Sequence, residues 1–115
     1  MARDDSVDPR DCTWVALFHE PGPGAPRDET LYQHPAFAQH LAFLERMQQQ
    51  GLLVAAGPIA GTPGEGMTIL CLPGVDRLQE AARLATEDDP SVASGFLTVT
   101  LRPWKVLLSG APVPG

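Results

Sequence analysis

An α+β domain with the element order β-α-β-β-α-β is what this sequence predicts, and three observations carry it. Four short apolar runs, at residues 13–19, 52–59, 67–72 and 95–108, are each closed by nearby glycine or proline. Two longer stretches, at residues 35–50 and 76–87, repeat apolar residues every three or four positions. The second and third runs are separated only by the turn Gly61-Thr-Pro-Gly-Glu-Gly66, short enough for a hairpin. The chain's 115 residues supply one domain, and a domain of this size buries roughly 65% of its unfolded surface, enough for a modest core. No internal repeat is visible.

Residues 1–11 are polar and rich in aspartate and read as a flexible lead-in; residues 109–115 read as a frayed tail, leaving 12–108 as the folded domain. In the first strand Trp14, Val15, Ala16, Leu17 and Phe18 are apolar at both parities, so both faces are expected to be covered. Pro21-Gly22-Pro23-Gly24 breaks it, and a loop runs to about Tyr32. Pro35 suits the first turn of a helix, where its missing N–H costs nothing. Phe37, Leu41 and Leu44, with Met47 beside them, form its apolar arc, and Gly51 supplies the left-handed residue that ends it. The second strand closes at Gly57-Pro58 and the third ends at Leu72. Asp76 can cap the second helix, with Gln79 three residues on, and Leu78, Ala81, Ala82 and Ala85 form its stripe. Asp89-Pro90 bounds that helix, because a residue before proline avoids the α region. In the last strand Leu97, Val99 and Leu101 alternate with Thr98, Thr100 and Arg102, and Pro103 marks an edge or a bulge.

This order is the ferredoxin-like, split βαβ arrangement. Two helices cover one sheet face and leave the other bare, yet the strands are apolar on both. An exposed apolar sheet face marks an interface. A second copy is the expected cover, closing a shared barrel and making a two-fold homodimer, a dimeric α+β barrel.

Composition excludes several function classes. The net charge is −6, with eight Lys and Arg in all, and the pI is near 4.8. Nucleic-acid binding and polybasic membrane anchoring both need clustered cations, so neither is expected. No apolar run approaches the ~20 residues of a membrane span. The acidic N-terminus has no apolar stretch of the signal-peptide kind, so a cytoplasmic location is the expectation. Cys12 and Cys71 lie far apart without a C-x-x-C and read as free, buried, small hydrophobes.

Few polar residues sit in apolar surroundings. His40 falls inside the arc of Phe37, Leu41, Leu44 and Met47 and so faces the sheet. Imidazole titrates near working pH, which makes His40 a core histidine or a general acid/base. Asp89 is its natural partner: Glu87, Asp88 and Asp89 crowd the negative end of the second helix's dipole, where carboxylates are unfavourable, and broken local rules mark sites. His19 lies on the parity of Val15 and Leu17 at the end of its strand and could bind substrate, as could Trp14 and Arg102; Arg102 alternates with apolar residues and could hold an anion. His34 is about 240° around the helix from His40, so the two cannot share a metal. With no other convergent ligand cluster in view, no metal site is expected. The glycine-rich turn at 61–66 lacks the Lys-Ser/Thr and following helix of a phosphate loop.

Five stretches, taken together and in order, resemble the YCII (YciI-like) family: Leu17-Phe-His-Glu-Pro-Gly-Pro23, His40-Leu-Ala-Phe-Leu44 leading to Gly51, Leu53-Val-Ala-Ala-Gly-Pro58, Asp89-Pro-Ser-Val-Ala-Ser-Gly95 and Arg102-Pro-Trp104. The resemblance implies a ferredoxin-like fold, a dimer, and a histidine/aspartate active site that carries over onto His40 and Asp89. It also implies lyase or isomerase chemistry, since the family includes a dehydrochlorinase and shares its fold with muconolactone isomerase. One departure is that Gln48-Gln-Gln50 stands where some members have an acid before the helix-ending glycine. The expectation is a small enzyme needing no cofactor, in which His40 and Asp89 act on a small apolar or aromatic substrate inside the barrel. The alternative is a non-catalytic module of the same fold that binds a small ligand or another protein.

Overall fold

The computed structural model describes residues 8–110. The strands β1 (Cys12–Pro21), β2 (Leu53–Pro58), β3 (Gly66–Pro73) and β4 (Leu97–Trp104) form one sheet of order β2-β3-β1-β4. All three pairings are antiparallel. Helix α1 (Pro35–Gln49) joins β1 to β2, and α2 (Leu78–Glu87) with the short α3 (Pro90–Ala93) joins β3 to β4. The ferredoxin-like β-α-β-β-α-β order is therefore present, with α3 and a 3-10 turn at Glu29–Gln33 added in the connections. Pro103 does lie on an edge strand, where a missing donor is tolerated.

Strand alternation sorts the sheet into two faces. Val15 and Leu17 of β1 and Leu70 and Leu72 of β3 meet Phe43 and Met47 of α1 and Ala81, Leu84 and Ala85 of α2 in the main core. Trp14, Ala16 and Phe18 point the other way, beside Cys71, Ile69 and Met67 of β3 and Trp104, Arg102 and Thr100 of β4. Phe18, Met67 and Trp104 are exposed on that second face. A register shift between Leu53 and Ala55 bulges β2, which the sequence reading did not foresee.

Several local expectations change. The buried stripe of α1 is His40, Phe43 and Met47, while Leu41 is exposed. The helix is thus rotated toward Phe43, because the core centres on that side. His34 caps α1, its Nδ1 accepting from the Ala36 N–H at 3.0 Å. Asp76 does not cap α2: it takes a left-handed φ of 60°, and the helix begins only at Leu78. Thr13 of β1 ties down that end instead, its hydroxyl accepting from the Arg77 N–H at 3.0 Å and donating to the Gly74 carbonyl at 2.8 Å. Leu78 is correspondingly exposed rather than part of the stripe. Strand β4 stops at Trp104, short of Leu108.

Of the lead-in, Pro9–Asp11 form a 3-10 turn capped by Asp8, and the Trp14 indole donates to the Pro9 carbonyl at 3.0 Å. Residues 1–7, and 111–115 of the tail, lie outside the described residues. Both cysteines are free and half-buried rather than sealed in the core. Burial and the neighbouring Cys12 push the Cys71 thiol up to about 12, so it is a poor nucleophile at neutral pH.

Candidate functional site

Three elements converge on one polar cluster at the helix-covered face. His19 comes from β1, on the same side as Val15 and Leu17. His40 is the first residue of the buried stripe of α1. Asp89 is the N-cap of α3, where Pro90 takes the first helical position and needs no hydrogen bond. Gly22 lets the chain leaving β1 pass close by: a Cβ there would lie 1.8 Å from the Gly95 carbonyl oxygen, so only glycine fits. Arg46 of α1 donates to the Asp88 carbonyl, locking α1 against the α2–α3 junction beside Asp89.

The His40 Nδ1 and Asp89 Oδ2 lie 2.7 Å apart, and both residues are buried. The other carboxylate oxygen of Asp89 accepts from the Ser91 N–H at 3.1 Å and from the Ser91 hydroxyl at 2.7 Å. Burial alone would push the Asp89 carboxyl up, but the hydrogen bond and charge of His40, with the two Ser91 donors, outweigh it and hold the group below its ordinary range. A carboxylate at Nδ1 assigns the proton to that nitrogen, so Nε2 is the nitrogen of His40 available to other molecules. The His40 ring stacks against Phe43 at 6.3 Å between centroids and leans on Phe37 at 5.7 Å, which fixes its plane.

His19 completes the cluster. Its ring meets His40 edge-on, with centroids 4.7 Å apart. It is 3% exposed, and neither of its nitrogens has a hydrogen-bond partner among the described residues. Burial, and then the charge of His40, push its pKa down to about 4, so it is neutral at pH 7. A cavity of about 180 Å3 opens beside the two histidines, walled by Tyr32, Phe37, Leu44 and the Ala56–Pro58 segment of β2. Apolar walls with a few convergent polar groups are what a small-molecule site requires.

The structure thus brings together His19, His40 and Asp89, but not Trp14 and Arg102. Trp14 is on the opposite parity of β1 from His19, and Arg102 pairs with Ala16 on that same opposite face. Neither lines the cavity. The cluster lies between α1 and the sheet. Trp14 and Trp104 border a separate cleft of about 410 Å3 that contains no histidine. The expectation that no metal-ligand cluster converges also fails. His19, His40 and Asp89 each offer a ligand atom within 4.8 Å of the others. Ser91 and Tyr32 join the site beyond the residues expected from sequence; the signal for Ser91 is Asp89-Pro90-Ser91, an N-cap followed by a first-turn proline.

Comparison with known proteins gives the same picture of the fold. The solved 5-chloro-2-hydroxyhydroquinone dehydrochlorinase TftG of Burkholderia phenoliruptrix AC1100, a complex with 2,5-dihydroxybenzoquinone, is similar at 21% identity and a TM-score of 0.56, over 80% of this chain and 93% of that one. A hydantoinase/carbamoylase family amidase from Burkholderia ambifaria matches at 18% identity with a TM-score of 0.48, over 84% of this chain and 28% of its own. The uncharacterized protein YjpA of Bacillus subtilis (strain 168) is 36% identical over 69 residues, covering 60% of this chain and 75% of YjpA. The model of the YCII-related domain matches residues 14–105, and by that match the chain belongs to the YCII family.

Proposed function

We propose that this protein is an acid–base enzyme of the lyase or isomerase type that needs no cofactor, with His40 as the proton-transfer group and Asp89 as its positioning residue. The observation that carries this reading is the buried 2.7 Å contact with Asp89 of the Nδ1 of His40, a residue that lines a largely apolar cavity. Asp89 holds the Nδ1–H and stabilises the imidazolium that forms when Nε2 removes a proton. That proton comes from a carbon next to a carbonyl, or from a ring hydroxyl. Returning it elsewhere gives isomerisation; expelling a leaving group from the resulting anion gives elimination. His19, neutral and buried, donates a hydrogen bond to the substrate oxygen on which negative charge develops.

A cavity of about 180 Å3 takes a small substrate such as a single ring. A dehydrochlorinase of similar fold whose structure holds a dihydroxybenzoquinone supports hydroxylated or quinonoid rings as the first class to try. We also propose that two copies pair through the open sheet face, since Phe18, Met67 and Trp104 are exposed there.

The test is proton exchange in deuterium oxide with a panel of small hydroxylated aromatic and cyclic carbonyl compounds, followed by NMR. The wild type should exchange or convert at least one compound, and His40→Asn should lose about 100-fold or more of that rate while keeping its fold. A folded His40→Asn protein that is as fast as the wild type would overturn the reading. Binding without exchange anywhere in the panel would favour a ligand-binding module instead.

A further inference from the structure

The His19 ring is the least explained group in the molecule. A buried polar group without a partner costs about 1–3 kcal/mol, and a leucine or phenylalanine would fill the same space without that cost. Both nitrogens are unpaired at 3% exposure, and the ring lies against His40 at the cavity. No group among the described residues satisfies His19, which leaves its nitrogens open to a small molecule or ion.

The chemistry of its neighbours narrows what that molecule can be. His19, His40 and Asp89 converge within 4.8 Å; with both Asp89 oxygens already held by His40 and Ser91, the donors left for an ion are the two imidazoles, a nitrogen pair suited to transition metals rather than to calcium or magnesium. Asp89 is a buried carboxylate whose only charged partner among the described residues is His40, which leaves the pocket short of positive charge whenever His40 is neutral. Its bond to His40 Nδ1 leaves Nε2 as a donor, the carboxylate–histidine arrangement that orients metal-binding imidazoles. A ligand histidine must be deprotonated, and burial keeps His19 so. The cavity leaves room for water or another small ligand at remaining positions on an ion.

We propose that the nitrogens of His19 and His40, with Asp89 behind His40, bind one divalent transition-metal ion such as Zn2+ at the polar end of the cavity. The ion takes the Nε2 lone pair of His40 and therefore competes with proton transfer by that nitrogen. The proposal does not rest on the acid–base reading: metal binding can be present in an inactive protein and absent from an active one.

The experiment is titration of the full, chelator-treated chain with Co2+, read by visible ligand-field absorption, and with Zn2+, read by calorimetry. The expected result is one ion per chain with a nitrogen-coordinated Co2+ spectrum. Affinity should fall about 10-fold or more in Asp89→Asn, the usual effect of losing an orienting carboxylate, and the spectrum should vanish in His19→Leu. His19→Leu removes an unpaired polar group from a buried site, so it should fold at least as stably as the wild type at pH 7. A wild-type spectrum no different from aqueous Co2+ overturns the proposal without any variant. Equal binding by wild type and His19→Leu also overturns it, because the ion is then held elsewhere on the surface.

Discussion

The two faces of the sheet are built from alternate residues of the same strands, yet they break opposite rules. On the helix-covered face, β1 places His19 in line with Val15 and Leu17 and so buries an imidazole with no partner among the described residues. On the open face, Phe18, its neighbour in sequence, joins Met67 and Trp104 in exposing apolar surface. Burying polar groups and exposing apolar ones both disfavour an isolated folded chain. The first anomaly calls for a small ligand that hydrogen-bonds or coordinates; the second calls for a large surface that excludes water. One ten-residue strand thus carries the candidate site on one face and the proposed dimer interface on the other, separated by a single residue of register.

That contrast can be broken or sharpened experimentally. The largest effects are expected on the covered face. Leu17→Ala should cost about 3 kcal/mol through the cavity it leaves. Asp89→Ala should cost about 3 kcal/mol or more, because it strands His40 and the Ser91 donors and removes the cap of α3. Urea unfolding at fixed protein concentration measures both. Phe18→Ala should instead shift the chain from dimer to monomer in sedimentation at micromolar concentration, with a loss of intrinsic stability below about 1 kcal/mol. Equal losses at Leu17 and Phe18, with no change of assembly, would erase the distinction between the faces.

Acid should also act through the covered face. The His19 pKa is about 4 in the folded chain, against 6.5 for the free side chain, so the unfolded chain binds the extra proton first. Stability is therefore full above about pH 6.5, falls as the pH drops toward 4, and stops changing from this group below that. The integrated loss is about 3 kcal/mol. Asp89 is lowered from 3.8, so its contribution is present above that value and disappears only at still lower pH. The slope between pH 6.5 and 4 should flatten in His19→Leu; an unchanged slope would mean that His19 is not the group being protonated.

Smaller effects complete the comparison. Ser91→Ala, which removes one hydroxyl donor from Asp89 and leaves its backbone donor, should cost about 1 kcal/mol. Arg102→Ala on the open face should change stability by less than about 0.5 kcal/mol and leave any ligand affinity of the cavity unaltered. A loss of ligand binding in that variant would return Arg102 to the site.

Much of this architecture is legible in residue pattern, and the gaps have physical causes. The order of strands and long helices follows from periodicity and from glycine and proline punctuation. The start of α2 does not, because the Thr13 hydroxyl, 64 residues from Arg77, caps it in place of Asp76. Helix α3 is four residues long and too short to show a period. The pairing of His40 with Asp89 could be anticipated from a histidine inside an apolar arc and an acid at the wrong end of a dipole. The convergence of His19 could not, because it depends on how β1 passes beneath α1. The parity of Trp14 within β1, opposite to that of His19, already separates the two.

The central claim is that Asp89 holds the His40 proton on Nδ1 and leaves Nε2 as a free base at the cavity. Histidine 15N NMR of the wild type and of Asp89→Asn, across pH, tests it most directly. The account predicts a His40 Nδ1 proton that is strongly deshielded and slow to exchange, and loss of that signature in Asp89→Asn. A His40 carrying its neutral-form proton on Nε2, or a spectrum unchanged by the substitution, would contradict it.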